Sequence, residues 1–94
     1  MKGHSQQHLW IRNSHDEAIT FCIEPWADEL MMQPGVSYLV QFEGPEGEFP
    51  AVDWSKDKVT VYGWSGSVAS VFCNDEEIIT CSTAVPSMPK VNRC

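Results

Sequence analysis

Apolar and polar residues alternate along most of this chain with a period of two, the mark of half-buried strands rather than helices. From Ala18 to Glu24 the alternation places Ile19, Phe21 and Ile23 on one face and Thr20, Cys22 and Glu24 on the other. Ser37 to Glu43 repeats it with Tyr38, Val40 and Phe42. Lys58 to Trp64 is rich in β-branched and aromatic residues, which fit a pleated surface. Shorter runs at His8 to Arg12, Phe49 to Trp54, Val68 to Cys73 and Glu77 to Cys81 bring the total to about seven strands. Turn chemistry separates them at Asn13-Ser14-His15-Asp16, Pro34-Gly35, Gly44-Pro45-Glu46-Gly47 and Asn74-Asp75-Glu76. The pattern predicts an all-β, antiparallel β-sandwich with Greek-key-like connections over residues 1–82 and no substantial helix. Residues 83–94 read as an extended or frayed tail. Pro50 marks Phe49 to Trp54 as an edge strand, where pairing across a two-fold axis would make a homodimer.

One segment breaks the alternation. Pro25 follows Glu24 and blocks the strand from continuing. Residues 26–35 are then expected to cross over to the next strand, turning at Pro34-Gly35. Trp26 to Met32 is the helical candidate, too short to stand alone and stopped by Pro34. Trp26 has two readings. It caps one end of the core, as a large aromatic does. Or it stands exposed with Leu30, Met31 and Met32 beside Glu24, Asp28 and Glu29, an apolar patch with an acidic rim.

Composition sharpens the picture at two points. A chain of 94 residues with 11% aromatics and four tryptophans is one domain with enough apolar mass for a core. The formal charge of −7 is unevenly spread, since residues 13–82 hold all thirteen acids but only Lys56 and Lys58 among the bases. Lys2, Arg12, Lys90 and Arg93 make the two ends weakly basic. Such a distribution argues against nucleic acid and against anionic membrane surfaces, both of which need a cationic footprint. It fits a soluble surface, or an acidic face for a basic partner. No run approaches the ~20 apolar residues of a membrane span. The first residues lack the apolar stretch of a secretory signal, so a cytoplasmic location is expected.

Candidate chemistry is sparse. Cys22, Cys73 and Cys81 lie in strand-like runs and read as small core residues, while Cys94 reads as an exposed thiol. No Cys-x-x-Cys pair offers zinc or redox chemistry. Gly63-Trp64-Ser65-Gly66-Ser67 comes near the G-x-S-x-G pattern, but its last position is Ser67 and no histidine follows it. It reads instead as a glycine-flexed corner with Trp64 packed near Trp26. Metal binding rests on His4, His8 and His15, including an amino-terminal chelate at Met1-Lys2-Gly3-His4 if Met1 is removed. Asp75-Glu76-Glu77 lacks the ligand spacing of a calcium loop. Glu24 and Glu29 are a possible acid–base pair, but sequence does not place them across a cleft. No cofactor is implied.

Ile23-Glu24-Pro25-Trp26-Ala27-Asp28-Glu29, then Pro34-Gly35, Glu43-Gly44-Pro45 and Val59 through Val68 with its Gly63-Trp64, resemble a family of small bacterial single-domain β-proteins. The likeness spans residues 8–79. It implies a bacterial cytosolic β-protein and brings no activity or ligand with it. The residues themselves favour a non-enzymatic binding or interaction module that contacts another protein. Its site is expected at Glu24, Trp26, Asp28, Glu29 and Leu30, with Trp64 beside them. One version is an acidic protein that neutralises a basic partner, with carboxylates steering association and aromatics anchoring it. The alternative is a small-ligand or metal-binding sandwich.

Overall fold

The computed structural model describes residues 3–86, and within them the chain is all strand, turn and loop. Eight strands form: β1 His4–Arg12, β2 Ile19–Glu24, β3 Asp28–Met32, β4 Ser37–Pro45, β5 Ala51–Trp54, β6 Lys58–Tyr62, β7 Val68–Cys73 and β8 Glu76–Cys81. They make two four-stranded sheets, ordered β1-β4-β7-β8 and β3-β2-β6-β5. Hairpins join β2 to β3, β5 to β6 and β7 to β8. The remaining neighbours are brought together by connections that pass between the sheets. No helix of the described residues is long and apolar enough to cross a membrane.

Alternation builds the core. Ile19, Phe21 and Ile23 from β2 and Val59 and Val61 from β6 face Tyr38, Val40 and Phe42 from β4 and Ala69 and Val71 from β7. The Phe21 ring meets Tyr38 edge-on with centroids 5.1 Å apart, locking one sheet onto the other. Trp64 tilts onto Phe42 at 5.7 Å.

The sandwich departs from the sequence expectation in four places. Residues 28–32 form β3, not a helical turn or a crossover: Leu30 and Met32 face inward and Glu29 and Met31 outward. Pro25-Trp26-Ala27 is the turn of a β2–β3 hairpin, with Ala27 at φ 62. The Asp-Glu-Leu-Met-Met run carries no β-branched residue, so its strand state comes from pairing with β2 rather than from propensity. Next, β1 begins at His4 rather than His8, because the polar Ser5 and Gln7 occupy half-buried positions against β4. Third, five pairings are antiparallel, but β2 and β6 run parallel, from Thr20 opposite Lys58 to Glu24 opposite Tyr62. Parallel neighbours need a long connection, here the three strands between them. Last, residues 83–86 are not a frayed tail. Val85 is buried and exchanges backbone hydrogen bonds with the β6–β7 loop, Val85 N–H to Ser67 O at 3.0 Å and Gly66 N–H to Val85 O at 2.7 Å. The rest of the expected tail, Cys94 included, lies outside the described residues.

Candidate functional site

The six residues expected to form a site do not share a surface. Trp64 is 3% exposed and points into the core, its indole N–H donating to the Pro45 carbonyl at 2.9 Å. It is a core residue, and its role as a surface anchor is withdrawn. Trp26 is half-buried against the core, and its indole N–H donates to the Thr83 carbonyl at 2.8 Å. Its ring lies over Gly63, where an added methyl would stand 2.6 Å from it. The capping role read for Trp26 therefore holds, and its use as a free anchor does not. Asp28 faces the gap between the sheets and accepts a long hydrogen bond from the Cys81 thiol at 3.7 Å. Leu30 packs on the core and lines a hollow of about 580 Å³ with Tyr38, Asn74 and Ile78.

Of the six, only Glu24 and Glu29 stand on the outer face of the second sheet. Glu29 on β3 reaches over β2 to Lys58 on β6, with Oε2 to Nζ at 3.7 Å. Cys22 lies between these two strands on that outer face, buried yet apart from the core cluster. Its thiol donates to Glu24 Oε1 at 3.0 Å. Burial, then the hydrogen bond and charge of Glu24, push it up to about 11. Burial and the Asp28 carboxylate push the Cys81 thiol up to about 12. Both sulfurs are therefore held as inert thiols at neutral pH.

The outer face of the first sheet carries what sequence reading missed. Pairing across β1, β4, β7 and β8 aligns Trp10, Leu39, Phe72 and Glu77 in one row. The next row along the strands is polar: His8, Gln41, Ser70 and Thr80. Trp10 is 71% exposed, although Leu9 and Ile11 on either side pack on the core. It borders a groove of about 660 Å³ floored by Leu39 and Phe72, with Ser37, Gln41, Asn74 and Asp75 among its walls. Asn74 and Asp75 form the two-residue β7–β8 turn at φ 51 and 66, a geometry that suits Asn and Asp and places them at the rim of the groove. Asp75 is the one charged residue among the described groove lining, and Arg12 stands one row further out on β1. The signal was present in the sequence: if Leu9 and Ile11 point inward, Trp10 must point outward.

The histidines are not gathered. His4 and His8 share the outer face of β1, while His15 lies in the β1–β2 loop with its backbone N–H bonded to Asn13 Oδ1. Among the described residues no three His, Cys, Asp or Glu side chains are placed to hold a metal ion. The amino-terminal chelate involves Met1 and Lys2, outside the described residues. In the Gly63–Ser67 turn the Ser67 hydroxyl is fully buried, accepting from Trp64 N–H at 2.9 Å and donating to Trp64 O at 2.7 Å. That hydroxyl ties the turn together.

Set against known proteins, the chain matches no family model, no curated protein and no solved structure.

Proposed function

We propose that the chain is a non-catalytic binding module whose ligand lies on the outer face of the first sheet, over Trp10, Leu39 and Phe72. The observation that carries this reading is the exposure of Trp10. A tryptophan on a regular strand, 71% exposed beside a groove of about 660 Å³, leaves a large apolar plane in water at the border of a ligand-sized hollow. The non-catalytic part is supported by how three candidate nucleophiles are occupied, Ser67 within its own turn, Cys22 against Glu24 and Cys81 against Asp28, while Cys73 at the groove is a free thiol with no histidine among the described lining. The test is amide and indole NMR of the labelled protein against soluble neutral sugars, short peptides, nucleosides and divalent metal salts. A binder that shifts the Trp10 indole and the amides of Leu39, Phe72 and Asn74, and loses affinity in Trp10→Ala, supports the groove. Binders that all map elsewhere overturn it.

A second reading concerns self-association, and the edge strand favours it. Phe49 at 75%, Val52 at 38% and Trp54 at 50% exposure put apolar side chains on and beside β5, which among the described residues has no neighbour on its far side. Edge pairing with a second copy would cover them. Light scattering should then give a dimer mass that Val52→Lys returns to a monomer; a wild-type monomer at all accessible concentrations removes this reading. A basic protein partner finds less support, because Glu29, one of the carboxylates first expected to meet it, already has Lys58 as counter-ion.

A further inference from the structure

We infer that the groove over Trp10 takes an uncharged carbohydrate, with the face of one sugar ring stacked on the Trp10 indole. This deepens the binding-module reading and rests on it.

The groove selects by what its walls offer and by what they lack. Its described lining contains no cation, and its one charge is the carboxylate of Asp75. Phosphates, carboxylates and sulfated ligands therefore meet only like charge within the lining, and Arg12, the cation on this face of β1, stands one row further out, opposite Ser37. A purely hydrocarbon ligand fits poorly as well. It would cover Gln41, Ser37 and Asn74, whose amides and hydroxyl would lose water without gaining a partner. What suits the site is a ligand with a flat apolar face, an edge dense in neutral hydrogen-bonding groups, and no charge. A pyranose ring has this chemistry. Its axial C–H bonds make one face apolar, and its equatorial hydroxyls both donate and accept.

The layout matches that division. The apolar row of Trp10, Leu39 and Phe72 runs beside the polar row of His8, Gln41 and Ser70 on adjacent positions of the same strands. Neighbouring strands lie ~4.8 Å apart, so Trp10 and Phe72 are separated by about 10 Å across β4. A ring stacked on Trp10 would thus have Leu39 under its rim and the Gln41 amide along one edge. Asn74 and Asp75, whose backbone is held by the left-handed turn, stand at the far wall, where the Asn74 amide can donate and accept and the Asp75 carboxylate can accept. Aromatic stacking and amide contacts of this sort need little reorganisation, because strands and a tight turn fix their backbones.

The experiment is titration of the full-length labelled protein with neutral di- to hexasaccharides built from glucose, mannose, galactose and N-acetylglucosamine. Sulfated oligosaccharides, tripeptides and nucleosides are run in parallel. The expected result is saturable movement of the Trp10 indole and of the Leu39, Phe72 and Asn74 amides with at least one neutral series. Trp10→Ala should keep its dispersed spectrum and lose affinity by about tenfold or more, while Trp10→Phe should retain part of it. Groove shifts with peptides or nucleosides but with no neutral sugar would overturn the carbohydrate assignment and leave the groove standing. Sugar shifts that persist undiminished in Trp10→Ala would overturn the stacking. If no compound moves the groove resonances, the binding reading itself falls with the inference.

Discussion

Asn13 donates its side-chain amide to the carbonyl of Met32 at 2.9 Å, at a position with no solvent exposure. The same amide donates to Glu17 O at 2.9 Å, and its oxygen accepts from His15 N–H at 2.9 Å. Its backbone receives Gly35 N–H at 2.8 Å and donates to Val36 O at 3.0 Å. The buried side chain therefore ties the β1–β2 loop to the end of β3, and the backbone of the same residue holds the Gly35–Val36 wall of the groove. Asn13→Asp keeps the shape but replaces both amide donors with a carboxylate facing two carbonyls. It should cost about 3 kcal/mol or more in urea unfolding at neutral pH. A loss within about 0.5 kcal/mol, the range of an ordinary surface change, would show that Asn13 is no such node.

Trp26 and Val85 close the opposite end of the sandwich. The indole N–H of Trp26 holds Thr83 O, and Val85 fills a buried place beside Ser67. Truncating Trp26→Ala should cost about 3 kcal/mol, the low end for a large aromatic because part of the ring is already wet. Val85→Ala removes two buried carbons and should cost about 2 kcal/mol. Thermal and urea unfolding would measure both. Should Trp26→Ala unfold at the wild-type midpoint, the ring would be free for a partner and the site first expected there would return.

The alternation of Ile19, Phe21, Ile23 and of Tyr38, Val40, Phe42 made the core and the two-sheet architecture readable in the sequence, because inward positions there are uniformly apolar. Where inward positions are polar, or lie in a run without β-branched residues, the pattern went silent. Ser5 and Gln7 hid the first half of β1, and Asp28 with Leu30 and Met32 hid β3. Both strands exist because a partner strand supplies their hydrogen bonds, which no local period reports. The candidate site was misplaced for a related reason. The acidic residues around Trp26 are adjacent in sequence, but alternation sends Glu29 outward and Asp28 and Leu30 inward. The Trp10 groove is assembled from β1, β4 and β7, so its neighbours are known only once the strand order is known. Cys22 was readable as buried, and its place on the outer face under the Glu29–Lys58 pair was not.

Gly44 is required by space rather than by backbone conformation. A methyl there would stand 2.8 Å from the Ser67 Cα and 3.1 Å from the Trp64 indole nitrogen, at the point where the β6–β7 loop crosses β4. Ser67 is itself pinned by its hydrogen bonds to Trp64, so the backbone has little room to retreat. Gly44→Ala should destabilise by about 1–3 kcal/mol, as overpacking does. It should also broaden or shift the Trp64 indole resonance. An unchanged midpoint and an unchanged indole signal would mean that the loop yields freely.

The two buried thiols set the alkaline limit of the fold. Burial and the Glu24 carboxylate raise Cys22 from an ordinary 9.0 to about 11, and burial with Asp28 raises Cys81 to about 12. The folded state thus keeps both protons after the unfolded chain has lost them. Their contribution is full below pH 9.0, declines as pH rises above it, and is gone once the folded values near 11 and 12 are passed. Tyr38, raised by burial and by nearby Cys73, adds in the same direction above its ordinary 10.0. Urea midpoints should therefore fall steadily from pH 9 upward. The combined Cys22→Ala, Cys81→Ala variant, less stable at neutral pH, should show a shallower decline over the same range. A thiol reagent at pH 8, applied to a Cys94→Ser background, should modify Cys73 readily and leave Cys22 and Cys81 unreacted until the protein unfolds. Rapid modification of Cys22 in the folded protein would show that the Glu29–Lys58 pair does not cover it, and an equal alkaline decline in the double variant would assign that loss to other groups.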